Sequence, residues 1–305
     1  MSPAWLIAGP TAAGKTALAI AAAQRLNGEI INADSMQVYA GLHLITARPS
    51  AEEEALVPHH LFGVADPAER WSVGRWSEAA LALITDIHAR GRTPILVGGT
   101  GLYFHALTVG LAPVPEIGEA ARAQTAAIEA EGGLEALRQK AEALDPVATA
   151  RVQPGDRQRL IRIVEVGLET GKALSEFQAD TVPLLAEGHW RGLVIEPERE
   201  ALYARIDRRF DQMLDQGALE EVRAFGERGL DPGLPSMKAL GVPPLLAYLR
   251  GETGFDAAVE LAKRDSRRYA KRQLTWFRNQ TASWPRIGSL EPGAAQAALE
   301  TLLAD

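Results

Sequence analysis

Gly9-Pro10-Thr11-Ala12-Ala13-Gly14-Lys15-Thr16 is the stretch on which the fold turns. It matches G-x-x-x-x-G-K-[ST] and lies between a short apolar run, 5–8, and an alanine-rich helical stretch, 16–26. The motif requires strand, loop and helix in that order. Its glycines let successive backbone N–H groups turn into one concavity at a helix N-terminus, where phosphate oxygens bind. All eight residues, Gly9 through Thr16, are therefore expected to grip a di- or triphosphate, with Lys15 adding a point charge and the Thr16 hydroxyl a metal ligand. Hydrolases, kinases and transferases all use such a loop, so other residues must choose among them.

Working outward, 29–32 reads as a second strand, ending in Ala33, Asp34 and Ser35. Ser72 caps a helix to about Arg90, with Val73, Trp76, Ala80, Leu83, Ile84 and Ile87 spaced for one buried face. A continuous apolar strand at 94–97 is closed by Gly98-Gly99-Thr100-Gly101 before a helix over 102–107. This recurrence of strand, glycine turn and helix predicts an α/β fold, a P-loop NTPase-like parallel-sheet core. The pattern then breaks: 113–187 carries helical periodicity without a strand, which predicts a helical insertion domain within a core formed by 1–112 and 188–305. Strand returns at 193–196. One long helical segment is expected over 198–228, a proline- and glycine-rich connection over 232–244, and a helix over 255–279.

The chain has 305 residues, enough for one large domain and a smaller one, and no cysteine, which excludes disulfides and thiolate zinc sites. The N-terminal apolar run is too short for a membrane span and lacks the basic region of a signal peptide, so a cytoplasmic protein with no membrane association is expected. A net charge of −7 argues against nucleic acid, but the stretch 263–278 holds seven basic residues and one acid. Lys263, Arg264, Arg267, Arg268, Lys271, Arg272 and Arg278 form a stripe at near-helical spacing, with Tyr269, Trp276 and Phe277 beside it. That is the footprint of an RNA backbone or, alternatively, a salt-bridged helix.

Many phosphate-loop hydrolases end a later strand in an aspartate that holds magnesium. Here 95–97 ends in glycines, and the acid sits at the end of the second strand. Strand C-termini face the ligand crevice of an open α/β sheet, so Asp34 should lie across from the loop, placed as a base for an incoming nucleophile. His59 and His60 point apart on a strand and lack a third ligand, which favours a structural role.

Five segments together, Gly9 to Thr16, Ile30-Ile31-Asn32-Ala33-Asp34-Ser35-Met36-Gln37-Val38-Tyr39, Pro58-His59-His60-Leu61, Ile95-Leu96-Val97-Gly98-Gly99-Thr100-Gly101-Leu102-Tyr103 and Arg267 to Arg278, resemble the tRNA dimethylallyltransferases, also called tRNA isopentenyltransferases. The resemblance implies transfer of a dimethylallyl group from dimethylallyl diphosphate to the exocyclic amine of the adenosine 3′ of the anticodon. It makes Asp34 the base, gives Lys15, the loop N–H groups and Mg2+ on Thr16 the leaving diphosphate, and places Thr100 beside the target nucleotide. It assigns tRNA contacts to Asp34, Ser35, Met36, Gln37, Thr100, Arg122, Gln158, Arg159, Leu160, Ile161 and Arg162, with the anticodon loop as partner and a monomer as the working state. His43, Ile45 and Gly63 depart from the family pattern and leave open the shape of 40–67. The rival readings are a phosphate-loop kinase or a transferase acting on free adenine nucleotides, and an RNA-binding module with a vestigial site.

Overall fold

The computed structural model describes residues 2–288, 293, 296–297 and 299–301. The chain divides into two compact units, one formed by Met1–Thr108 with Leu185–Asp305 and the other by Val109–Leu184. The division falls at 109 and 184, against the 113 and 187 expected from the helical periodicity.

The first unit begins with β1 (Ala4–Ala8), α1 (Lys15–Leu26), β2 (Gly28–Asn32), α2 (Ala51–Leu56), β3 (His59–His60), α3 (Val73–Ala89), β4 (Thr93–Gly98) and α4 (Gly101–Thr108). The second holds α5 (Glu119–Leu144), α6 (Pro146–Thr149), α7 (Arg157–Thr170) and α8 (Leu174–Ala179). The chain then returns to the first unit with β5 (Trp190–Ile195), α9 (Arg199–Asp215), α10 (Ala218–Gly226), α11 (Val242–Leu249), α12 (Phe255–Gln280) and β6 (Arg286–Ile287).

The six strands form one parallel sheet in the order β3-β2-β4-β1-β5-β6. β1, β2 and β4 are buried along their whole length, because helices cover both faces, which is why β1 and the centre of β4 read as apolar runs without alternation. One face packs Leu6, Ile31 and Leu96 against Trp76, Ala80 and Ile84 of α3 with Phe104 and Phe277. The other packs Ile7, Ile30, Ile95 and Val97 against Leu18, Ala19, Ala22 and Ala23 of α1. This is the P-loop NTPase-like α/β core that the sequence pattern predicts. Ser72 caps α3 by accepting from the Arg75 N–H, an interaction of about 1 kcal/mol.

Two expectations are corrected. The segment 198–228 is two helices, because Gly217 takes φ 100° between α9 and α10. The stretch 232–244 contains a 3-10 turn, Ser236–Lys238, and the start of α11, whose two prolines sit in the first turn, where a missing N–H costs no hydrogen bond. The second unit has cores of its own, one with Leu137, Ala141, Leu160, Ile163 and Val164, the other with Ile117, Ala121 and Val166. Among the described residues no helix is long and apolar enough to cross a membrane.

Candidate active site

Strand register brings three loops to one level. Val97 lies opposite both Asn32 and Ile7, so the residues two further along, Gly9, Asp34 and Gly99, leave adjacent strands at the same height. Gly98 permits this: a Cβ there would lie 2.0 Å from the Ala33 carbonyl oxygen, so the exits of β2 and β4 touch.

Asp34 is fixed from beneath. The buried Asn32 side chain accepts from the Asp34 N–H at 2.8 Å and donates to the carbonyls of Asp34 and Leu61, both at 3.0 Å. The Asn32 carbonyl accepts the Trp76 indole N–H at 2.8 Å, and Trp76 stacks on Tyr103 with ring centroids 4.0 Å apart. The Asp34 carboxylate accepts the Met36 N–H at 2.9 Å. Beside it, the Thr100 hydroxyl accepts the Ser35 N–H at 2.9 Å, donates to the Ser35 hydroxyl at 3.2 Å and pairs with the Tyr269 phenol. Burial, and then the charge of Asp34, push the phenols of Tyr103 and Tyr269 upward, so both are neutral donors at any ordinary pH.

Lys15 and Asp34 line one cavity of about 290 Å³, whose wall includes Thr11, Ala12, Ala13, Gly14 and Thr16. Ala12 and Gly14 take left-handed φ of 63° and 85°, which curls the loop. The first N–H groups of α1, from Lys15 onward, have no partner within the helix and point where an anion could be received. Other loop donors are already committed: the Thr11 N–H donates to Gln273 Oε1 at 2.9 Å and the Ala13 N–H to the Pro10 carbonyl at 3.3 Å. Lys15 Nζ donates to the Pro10 carbonyl at 2.8 Å. Desolvation pushes the ammonium down to about 8, with Asp34 pulling it up and Arg209 pressing it further down.

The sequence reading missed three cations, Arg48, Arg205 and Arg209. Arg205 and Arg209, one turn apart on α9, line the same cavity. Arg209 donates to the Thr11 hydroxyl, and the Arg205 guanidinium lies 3.7 Å from where a Gly14 Cβ would stand. Burial, and then Arg205, push Arg209 down to about 10, as expected where cations are gathered to receive an anion. The only signal was the four-residue spacing on an amphipathic helix. Arg48 and Glu53 line the cavity as well. Among the described residues no group of three His, Cys, Asp or Glu side chains could hold a metal unaided.

Other expected residues fall in varied places. Gln37 lines the cavity, but its Nε2 is spent on the carbonyls of Thr46 and Ala47, both at 2.9 Å. Met36 is half-buried against two hydrophobic clusters. In the second unit, Arg122, Gln158, Arg159 and Arg162 are exposed, and Arg122 and Arg162 feel each other's charge. Arg159 pairs with Asp156 at 3.2 Å. Leu160 is fully buried and Ile161 half-buried in that unit's core, so neither aliphatic side chain is an open surface. Thr16 stands at the loop's end in the cavity wall.

The stripe on α12 is split. Lys263 pairs with Asp211 at 2.6 Å, Arg267 with Asp207 at 2.5 Å and Arg278 with Glu196 at 2.5 Å, while Arg264, Arg268, Lys271 and Arg272 form an exposed face. Trp276 and Phe277 do not flank that face: Phe277 is core, and Trp276 lies against Gly101. His60 pairs with the buried Glu29 at 2.6 Å, and His59 Nδ1 meets the Val57 carbonyl at 2.8 Å. The atypical loop is held by Glu221, whose carboxylate accepts the N–H groups of His43, Leu44 and Ile45 at 2.6, 2.9 and 2.9 Å. Gly63 has φ 63° and lies under the Arg48 guanidinium.

Fold and cavity define a phosphate-loop α/β enzyme that carries a separate helical unit and lacks the hydrolase-type acid after β4. The family model described as IPP transferase matches residues 37–280, and one described as isopentenyl transferase matches 2–57. The tRNA dimethylallyltransferase of Maricaulis maris is 69% identical over 303 residues, covering 99% of this chain and 98% of the relative. That of a Caulobacter species is 55% identical, covering 94% and 93%. The full-length tRNA isopentenylpyrophosphate transferase of Bacillus halodurans superposes with a TM-score of 0.70 at 38% identity, covering 100% of this chain and 96% of that one. A eukaryotic dimethylallyltransferase acting on tRNA gives a TM-score of 0.79 at 30% identity over 91% of this chain and 70% of that one. The chain belongs to the IPP transferase family, that of the tRNA dimethylallyltransferases.

Proposed function

We propose that the chain transfers a dimethylallyl group from dimethylallyl diphosphate to the N6 amine of adenosine 37 of tRNA, the nucleotide 3′-adjacent to the anticodon, with release of diphosphate. The observation that carries this reading is that Lys15 and Asp34 line one cavity, the first in a phosphate loop and the second at the end of the neighbouring strand but one. The diphosphate sits on the α1 N-terminus between Lys15, Arg205 and Arg209. The allylic carbon–oxygen bond breaks and its electrons leave with the diphosphate. The adenine amine supplies the electron pair for the new carbon–nitrogen bond and gives its proton to the Asp34 carboxylate. That amine is a feeble nucleophile, so a positioned base is needed as the bond forms. Three cations around the leaving group meet the charge that builds on it.

Mg2+ suits the donor set: the Thr16 hydroxyl and the Glu53 carboxylate, both hard oxygens, share the cavity wall with the diphosphate site. Bound there on Thr16, it would neutralise the departing diphosphate. The adenine must leave its stack to reach Asp34, and Ser35, Met36 and Gln37, which follow Asp34 in the chain, with Thr100 bonded to Ser35, would receive it. Arg122, Gln158, Arg159 and Arg162 of the helical unit, with the exposed face of α12, supply cations and donors for the tRNA backbone. The cytoplasm, where tRNA is processed, is the matching compartment.

The test is one incubation of the purified protein with radiolabelled dimethylallyl diphosphate and either unmodified tRNA or AMP. Label in tRNA alone supports the reading. Label in AMP, or turnover of ATP without transfer, would replace it with a free-nucleotide transferase or a kinase.

A further inference from the structure

We propose that Gln273 of α12 is a positioning residue, which fixes the separation between the diphosphate's loop and Asp34, the base on the acceptor side; the inference rests on the proposed transfer reaction. Gln273 is buried, 5% exposed, in the middle of a helix whose other face is charged. Its amide is spent at both ends. Oε1 accepts the Thr11 N–H of the phosphate loop at 2.9 Å, and Nε2 donates to the Gly99 carbonyl of the turn after β4, also at 2.9 Å. The partners fix the orientation of the amide, since an N–H demands the oxygen and a carbonyl demands the nitrogen.

The bridge continues in both directions. Gly99 is followed by Thr100, whose hydroxyl accepts the Ser35 N–H beside Asp34. Thr11 is gripped a second time through its hydroxyl by Arg209, one of the cations of the cradle. A path of hydrogen bonds joined by short covalent steps of the chain therefore runs from cradle to base, and a single side-chain amide is its midpoint. Gly99 leaves no slack, because a Cβ there would lie 2.2 Å from Nε2. A buried amide in a low-dielectric interior holds such a spacing tightly, and misplacement of reacting groups by about 1 Å is enough to cost about a hundredfold in rate. Both hydrogen bonds of the Gln273 amide go to Thr11 and Gly99 and neither goes to Lys15 or the start of α1, so it acts through geometry and not through binding.

The variants are Q273M, nearly the same shape with neither hydrogen bond, and Q273E, which accepts from Thr11 but donates to Gly99 only when its carboxyl is protonated. Both are compared with the full-length wild type by circular dichroism and thermal midpoint, then by single-turnover transfer to tRNA. For folded Q273M the transfer rate should fall about 30- to 300-fold, with the KM values for dimethylallyl diphosphate and tRNA within about threefold of wild type. For Q273E the rate relative to wild type at the same pH should rise severalfold between pH 8 and pH 6, as protonation restores the donor to Gly99. A folded Q273M of wild-type rate, a rise in KM at constant kcat, or a pH-independent Q273E ratio overturns the proposal. Should Q273M not fold, the Q273E ratio alone decides. A wild-type protein that transfers nothing to tRNA refutes the parent reading instead, and does so before any variant is compared.

Discussion

At the scale of the residue, the candidate site pairs a carboxylate with an ammonium held by opposite means. Asp34 is half-buried on a backbone clamped by Asn32 and Trp76, whereas Lys15 is pressed toward neutrality by its surroundings. Asp34→Asn keeps the size and the hydrogen bond from Met36 but removes the base, so single-turnover transfer should drop by about two to four orders of magnitude with donor and tRNA affinities within severalfold. A rate near wild type would take that role from Asp34. Lys15 makes a pH prediction. Bound diphosphate favours the ammonium and raises its pKa in the complex, so affinity for dimethylallyl diphosphate should be highest below about pH 8 and weaken as pH rises through it, by at most about tenfold per unit. Lys15→Met should bind weakly and lose that slope, as ligand titrations from pH 7 to 10 would read. Folding responds with the opposite sign. Between about pH 8 and the usual lysine range the unfolded chain holds more protons than the folded one, so this group alone favours folding as pH rises. Asp34 and Lys15 were legible because the loop motif and a strand-end acid are local patterns. Arg205, Arg209 and Gln273 were not, because only the packing of α9 and α12 beside the loop brings them there.

At the scale of the element, α12 faces two ways. Its buried side places Gln273, Leu274 and Phe277, and its exposed side carries Arg264, Arg268, Lys271 and Arg272. The basic stripe was visible as charge spacing, but which of its charges face solvent depended on the acids of α9, Asp207 and Asp211, more than fifty positions away in the chain. Reversing Arg264, Arg268, Lys271 and Arg272 to glutamate should raise the KM for tRNA and lower the salt slope of binding by about one unit for each phosphate left without its cation. The double reversal of Lys263 and Arg267 sets like charges against Asp211 and Asp207, so it should lower the thermal midpoint while changing the salt slope less. An equal fall in slope for both sets would mean that the ion pairs open on tRNA binding. The missed boundaries, Gly217 and the start of α11, have separate causes. Apolar periodicity continues across a glycine break, and prolines read as a loop until they are seen to occupy a helix's first turn.

At the scale of the whole molecule, the helical unit is the part that phosphate chemistry does not explain. Each unit has its own hydrophobic clusters, and every strand of the sheet belongs to the first. The chain leaves and re-enters that first unit at neighbouring points: the Leu185 N–H donates to the Leu107 carbonyl at 2.8 Å. A loop closed at so short a distance can be replaced with little strain, and shortening it lowers the entropy cost of closure. Replacing 109–184 with a short Gly/Ser linker should therefore leave a cooperatively folding core that binds dimethylallyl diphosphate within severalfold of the full chain. Transfer to tRNA should be lost by at least about two orders of magnitude, because a weak nucleophile reacts only when the extruded adenine is held in place, and Arg122, Gln158, Arg159 and Arg162 leave with the unit. Donor affinity, tRNA affinity and transfer rate, measured on a core with a single sharp thermal transition, read the three parts separately. Retained tRNA affinity with lost transfer would assign the unit to placing the adenine and α12 to binding. Retention of both would make the unit dispensable and leave tRNA recognition entirely to the core.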